Sequence, residues 1–243
     1  GNGVDTLTGG EGNDVIVGGS RGDTIDAGSA GNDTVLADNG SITIDVSDAS
    51  VVIASLEDDA QAGDDTVTTA DGHDLVVAGG ASDTVTTGAG SDVVLADSGT
   101  LVAADTTGQN DITSLYPDEF GADTVRAGAD DDIVIGGTGA DVLTGDGDDD
   151  VVVGDNATVE RAAGVLAAET LLRITSTHTD FGDDDDIDRV DGGGLGHDFV
   201  IGGNGADDVT AGAGNDVVLG DHGVIVRADG SARANDVFST ATD

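Results

Sequence analysis

The most regular feature of the chain is an aspartate followed two positions later by an aliphatic residue, a unit that recurs every nine residues. In one stretch the aspartates are Asp65, Asp74, Asp83 and Asp92, with Val67, Val76, Val85 and Val94 behind them. A second gives Asp123, Asp132, Asp141 and Asp150, with Val125, Val134, Leu143 and Val152. The opening stretch carries Asp5, Asp14, Asp23 and Asp33 with one extra residue before the last, and the closing one carries Asp188, Asp198, Asp207 and Asp216 with one extra before Asp198. Glycines fill the approach to each aspartate, as in GGEGND (Gly9 to Asp14) and GGTGAD (Gly136 to Asp141). A six-residue glycine-rich loop joined to a three-residue aliphatic piece is too short for a helix and predicts a turn leading into a very short strand. The expected fold is all β.

A longer period overlies the short one. Each group of four nonapeptides ends in a related tetrapeptide: ADNG (Ala37 to Gly40), ADSG (Ala96 to Gly99), GDNA (Gly154 to Ala157) and GDHG (Gly220 to Gly223). Asp38, Asp97, Asp155 and Asp221 are spaced 59, 58 and 66 residues apart. A second marker follows each one: IASL at Ile53, ITSL at Ile112, ITST at Ile174 and VFST at Val237. Between markers the chain alternates polar with apolar, as in Ser41, Ile42, Thr43, Ile44, which predicts half-exposed strands. Four nonapeptide strands plus these two give six per module, and the expectation is one continuous solenoid over residues 1–243 with supermodules 1–56, 57–115, 116–177 and 178–243. With two strands per turn it would have about twelve turns and run on the order of 58 Å at a strand spacing of ~4.8 Å. The insertion from Arg161 to Arg173 is expected to bulge out as a short helix.

Composition then narrows the chemistry. The chain has 41 Gly, 50 acidic against 7 basic residues, a formal net charge of -43, one Pro, 2% aromatics and no Cys or Trp. With few large rings, any interior must be thin and built from Val, Ile and Leu. A charge this one-sided swells a chain by self-repulsion, so folding requires bound cations. The basic residues are scattered arginines, which argues against nucleic acid and against an anionic membrane surface as partners. No apolar run approaches transmembrane length, so membrane insertion is not expected. The absence of Cys excludes disulfides and thiolate metal sites.

The GGxGxD-x-aliphatic unit, in four groups of four, resembles the repeats-in-toxin or hemolysin-type calcium-binding family. The resemblance implies a right-handed parallel β-roll with multiple Ca2+ ions held between successive loops on the same side. Calcium takes six to eight hard oxygen ligands, and glycine lets a loop turn its carbonyls inward. The implied metal residues are Asp14, Asp23, Asp33, Asp65, Asp74, Asp83, Asp92, Asp123, Asp132, Asp141, Asp150, Asp198, Asp207 and Asp216. The loop glycines Gly10, Gly12, Gly88, Gly90, Gly137, Gly139, Gly203, Gly205, Gly212 and Gly214 join them. Asp65 is expected to share a site with the loop ending at Asp83, and Asp74 with that at Asp92. In the tetrapeptides Asp38, Asp97, Asp155 and Asp221 stand where the second loop glycine belongs and are expected to substitute as ligands. Ser20-Arg21-Gly22 displaces a loop glycine, Ala81-Ser82 lacks one, and Asp183 to Asp186 is an acidic run in place of a loop.

Other motifs read as parts of the repeat. GGSRG (Gly18 to Gly22) matches a nucleophile elbow but is followed by a β repeat, not by the helix that elbow needs. Arg21-Gly22-Asp23 spells an adhesion tripeptide, with Asp23 at the repeat position. His73, His197, His222 and His178 make no zinc-protease motif. In the runs Asp130 to Asp132 and Asp148 to Asp150 one aspartate each is expected to be a ligand and the rest solvated surface. The functional expectation is a non-enzymatic calcium-binding segment of a large secreted bacterial protein, at the cell surface or beyond. There it would serve as a stiff fibre, matrix or adhesin spacer, continuing into further copies of the same repeat. The alternative is the calcium-dependent folding and secretion domain of an exoenzyme or toxin. The chain opens inside a loop pattern and closes inside a marker, so more repeats are expected on both sides.

Overall fold

The computed structural model describes residues 2–47, 50–55, 61–103, 110–115, 121–161, 171–177, 186–189, 196–227 and 235–239. They form three sheets and no helix. Alternate nonapeptides separate into two of these. The first parallel sheet is ordered β1 (Thr6–Glu11), β3 (Thr24–Ala30), β7 (Thr66–Thr68), β9 (Thr84–Thr86), β13 (Thr124–Gly128), β15 (Val142–Asp146) and β19 (Asp186–Arg189). The second is ordered β2 (Val15–Val17), β4 (Thr34–Leu36), β8 (Leu75–Val77), β10 (Val93–Leu95), β14 (Ile133–Gly137), β16 (Val151–Asp155), β20 (Phe199–Ile201) and β21 (Val217–Leu219). Each strand therefore pairs with the strand one full turn away. The register is in step, as in Val67 against Val85 and Val76 against Val94. This is the β-roll that the nonapeptide period predicts.

Composition of the triplets decides which sheet a strand joins. In the first sheet they read polar-apolar-polar (TVT at β7 and β9), so the central Ile25, Val67, Val85, Val125 and Leu143 point into the roll while the flanking threonines of β7 lie in solvent. In the second sheet they read apolar apart from Thr34 of β4 (LVV, VVL, VVV), and in the strands between its two ends both faces are buried. Its central Val35, Val76, Val94, Val134, Val152 and Val200 close the roll interior, a core one side chain deep from each sheet.

Its flanking residues need a further cover, and the alternating strands supply it. β5 (Gly40–Asp45), β6 (Ser50–Ser55), β11 (Gly99–Ala103), β12 (Asn110–Ser114), β17 (Ala157–Arg161), β18 (Leu171–Ser176), β22 (Gly223–Arg227) and β23 (Asn235–Ser239) form an antiparallel meander. Its apolar face, with Ile53, Leu101, Ile112, Val159, Ile174 and Ile225, packs on Leu36, Leu75, Val77, Leu95, Ile135 and Val153. Arg161 continues the buried column of Ala157 and Val159, and burial lowers its pKa to about 10 against the opposing pull of Asp111.

The expectation of six roll strands per module is thus corrected to four. The marker strands lack the glycine loop that turns one roll strand into the next. They pair instead as antiparallel neighbours, β5 with β6 and β11 with β12, and so do not enter the parallel roll. Sixteen nonapeptides at two per turn give about eight turns, not twelve. Each of the first three sixty-residue periods adds two strands to every one of the three sheets, and the fourth adds two to the second sheet and to the meander and one described strand, β19, to the first; pairing crosses the period boundary in all three, as in β3 to β7, β4 to β8 and β6 to β11. The Arg161 to Arg173 insertion lies outside the described residues between 162 and 170, and its two ends are strands β17 and β18.

Candidate metal centre

The loops stack along the two edges of the roll and carry the repeat aspartates in two columns. On one edge Asp14, Asp33, Asp74, Asp92, Asp132, Asp150, Asp198 and Asp216 follow one another; on the other stand Asp5, Asp23, Asp65, Asp83, Asp123 and Asp141. In every step the backbone N–H of one aspartate donates to Oδ1 of the aspartate a turn further on: Asp65 to Asp83 at 2.7 Å, Asp74 to Asp92 at 2.8 Å, Asp123 to Asp141 at 2.8 Å and Asp132 to Asp150 at 2.9 Å. The residues expected to share sites are brought together in this way, across period boundaries as well, with Asp83 to Asp123 at 2.7 Å and Asp92 to Asp132 at 2.8 Å.

Eight of these carboxylates are satisfied on one side alone. Oδ2 of Asp14, Asp23, Asp65, Asp74, Asp83, Asp123, Asp132 and Asp141 is buried and has no hydrogen-bond partner. A buried carboxylate oxygen without a donor is costly, and a column of them repel one another. Burial, and after it neighbouring aspartates, push Asp123 up to about 8, Asp132 to about 10, and Asp83 well above the usual range. Burial likewise raises Asp65, Asp92 and Asp141 to about 7, and Asp33 in direction. Oxygen-only donors, net negative charge and orphaned oxygens fit a hard divalent cation, which would remove the need for these protons.

Loop geometry follows from the same requirement. Gly10, Gly12, Gly90, Gly137, Gly139, Gly203, Gly205 and Gly212 have positive φ, whereas Gly88 and Gly214 stand where a Cβ would strike the carbonyls of Ala70 and Gly196. The slot two residues before the aspartate is left-handed even without glycine: Arg21 has φ 75°, Ala81 77°, Asp130 77° and Asp148 70°. Both displaced-glycine loops therefore keep the loop shape under strain.

Directly before the aspartates of the edge that runs from Asp14 to Asp216 lies a second ladder that sequence reading missed. Asn13 Oδ1 accepts from Asn32 N at 2.9 Å, Asn32 Oδ1 from His73 N at 3.1 Å, and His73 Nδ1 from Ser91 N at 2.9 Å. Asp131 Oδ1 accepts from Asp149 N at 3.0 Å, Asp149 Oδ1 from His197 N at 2.8 Å, and His197 Nδ1 from Asn215 N at 3.1 Å. The acidic runs are corrected accordingly. Asp130 and Asp148 fill the left-handed slot, while Asp131 and Asp149 are half-buried ladder members and not free surface. A short acceptor side chain at this position, period after period, was the available signal.

The tetrapeptide aspartates occupy the expected slot. Asp38 Oδ2 accepts from Gly80 N at 2.9 Å and Asp97 Oδ2 from Thr138 N at 2.5 Å, while Asp155 Oδ2 accepts from Asn204 N and lies 3.3 Å from His222 Nε2. At the C-terminal end of the stack Asp207 and Asp216 are half-buried and Asp221 is exposed. The acidic run 183–186 and His178 lie outside the side chains described. Ser20 is buried and its hydroxyl accepts from Asn39 at 2.7 Å, while strand β3 follows the loop. In Arg21-Gly22-Asp23 the aspartate is buried in the column.

A roll of stacked glycine loops with inward carboxylates defines a cation-dependent repeat protein. The RTX calcium-binding nonapeptide repeat model matches in four copies, at residues 1–30, 59–94, 119–152 and 192–223, together more than half of the chain. The chain belongs to this family, whose repeats bind Ca2+ between turns of the roll. No curated protein matches the chain.

Proposed function

We propose that this chain is a calcium-folded structural segment of a large secreted bacterial protein, a stiff extracellular spacer in a fibre, matrix or adhesin, and not an enzyme. Its supermodules, 1–56, 57–115, 116–177 and 178–243, act as one continuous stack, with the aspartates and loop glycines named above as ligands. The observation that carries this reading is that all three sheets grow together from one period to the next. Because each of the first three periods adds two strands to each, and the first two boundaries are paired in step, a further period can dock on the last in the same way. Pairing that crosses every described boundary makes the joint between periods as firm as their interior. Among the described residues no helix is long and apolar enough to cross a membrane, and the charge of -43 disfavours nucleic acid.

Small-angle scattering of the chain in millimolar calcium and in chelator tests the proposal. A single rigid elongated particle in calcium that expands to a flexible coil on chelation supports it. A compact particle indifferent to calcium overturns it, and a catalytic domain encoded beside the segment would shift the reading to a folding domain of an exoenzyme.

A further inference from the structure

Along the edge carrying Asp23, Asp83 and Asp141, uninterrupted loops alternate with loops in two pieces. The loop Gly18 to Asp23 bonds both to the tetrapeptide, Gly19 N to Ala37 O at 2.8 Å, and to a segment some twenty residues later, Arg21 N to Gln61 O at 2.7 Å. One period on, the same holds on both sides of the break. Tetrapeptide residue Asp97 donates to Gly136 O at 3.1 Å, and Gly79 N donates to Ala96 O at 3.0 Å. The returning segment bonds the same two flanking loops, Gly121 N to Thr138 O at 3.0 Å and Asp83 N to Asp123 Oδ1 at 2.7 Å. Ala96 to Ser98 and Gly121 to Asp123 are thus the two halves of one loop, and hairpin β11–β12 is inserted between them.

Asp97 is the residue that marks the break. It is 2% exposed, its Oδ2 accepts from Thr138 N, and its Oδ1 is buried without a partner. Asp123, Asp141 and Asp83 are the charges that bear on it, each with a buried Oδ2 that also lacks a donor. Among the described residues, the charges that act on this group are all carboxylates. The family match ends at residue 94 and resumes at 119, leaving Asp97 outside the nonapeptide repeats.

We propose that a calcium ion bound by Asp97 from one half-loop and Asp123 from the other, against the loop of Asp141, clasps the base of hairpin β11–β12. Unpartnered buried carboxylate oxygens, Asp97 Oδ1 and Asp123 Oδ2, stand on the two sides of the break, and calcium takes carboxylate oxygens together with backbone carbonyls. An aspartate in the glycine slot adds a charged, reaching donor at the point where the chain turns away. The clasp fixes both ends of the insertion and so holds the meander on the roll. Asp38 with Asp65 occupies the equivalent place one period earlier.

This rests on calcium filling the loops, and the test separates the two claims. In Asp97→Asn the side chain still accepts from Thr138 N but loses its charge; Asp92→Asn in the uninterrupted column is the control. Bound calcium per chain is counted by atomic emission at fixed free calcium, and amide exchange is followed in β11, β12 and the roll strands. Asp97→Asn is expected to lose one ion and to speed exchange at Leu101 and Ile112 at least tenfold, with Val76 and Val134 still protected. Asp92→Asn is expected to lose calcium and leave the hairpin protected. Wild-type ion count and hairpin protection in Asp97→Asn, or equal hairpin release in both variants, would overturn the clasp. An unmutated chain that binds no calcium would overturn the parent reading and the clasp with it.

Discussion

Removing calcium should invert the usual response of a protein to acid. Asp92, Asp123, Asp132 and Asp141 have pKa values raised from 3.8 to about 7, 8, 10 and 7 in the ion-free roll. A folded pKa above the unfolded one means that the group supports folding fully below pH 3.8 and opposes it progressively as pH rises through the folded value. At pH 7 each of the four is held roughly three units away from its unfolded behaviour, on the order of 4 kcal/mol apiece at about 1.4 kcal/mol per unit. Together that is on the order of 15 kcal/mol before any coupling among them, as large as the whole margin of a typical domain, ~5–15 kcal/mol. The ion-free chain should therefore be unfolded at pH 7.5 and gain β structure as the pH falls towards 4.5. Calcium should fold it at neutral pH and be displaced by protons on acidification. Circular dichroism in chelator from pH 8 to 4.5, with sedimentation to exclude association near the isoelectric point, measures this. A full β spectrum in chelator at pH 7.5 refutes the reasoning, and so does a chain that stays unfolded throughout.

Replacing Ala81, at φ 77°, with glycine should stabilise the calcium-bound protein by about 1 kcal/mol, or roughly 2–4 °C in a thermal melt for a chain of this size; a lower midpoint would contradict the strained-loop reading. Asp141→Ala should lower the calcium count, whereas Asp131→Ala should keep every ion and lose about 1 kcal/mol for one ladder hydrogen bond, as ion counting and denaturant titration will show. Leu143→Ala, in the thin roll interior, should cost about 2–5 kcal/mol by calcium-saturated unfolding, and a change under 1 kcal/mol would place that side chain outside the core. Fibres or oriented arrays of the protein should show an axial period near 9.6 Å, two strands at ~4.8 Å each; a period of three turns would restore the six-strand roll.

The nine-residue period made the roll legible because strand, loop and ligand must all recur together, so Asp74 and Asp92 could be paired before any coordinates. The fate of the marker strands was not legible from alternation, which reports one buried face but not what buries it. The answer lay in the contrast between TVT at Thr66 to Thr68 and LVV at Leu75 to Val77, a period of eighteen that distinguishes an exposed sheet from a covered one. The serines of the markers were similarly opaque. Ser55 Oγ accepts from Gly99 N at 2.8 Å and Ser114 Oγ from Ala157 N at 2.8 Å, so each hairpin is locked to the next one, a contact that spans more than forty residues of sequence. The His73 and His197 ladders were hidden for a different reason. A side chain that bonds the adjacent turn leaves no mark within its own repeat.

The two ladders beside each loop run in opposite senses: each aspartate N–H is answered from the following turn, each preceding residue's N–H from the one before. A turn is complete, then, only when it has company on both sides, and any stack of such turns carries two imperfect ends whatever its length. The outlying strands already show it, with Val15 at 52% and Val218 at 46% exposure where their counterparts inside are sealed. Since that defect is fixed while the well-formed interior grows with every added period, short versions of this architecture should be disproportionately fragile. Duplication of the sixty-residue unit would be rewarded at once, which makes great length a natural outcome for proteins of this design.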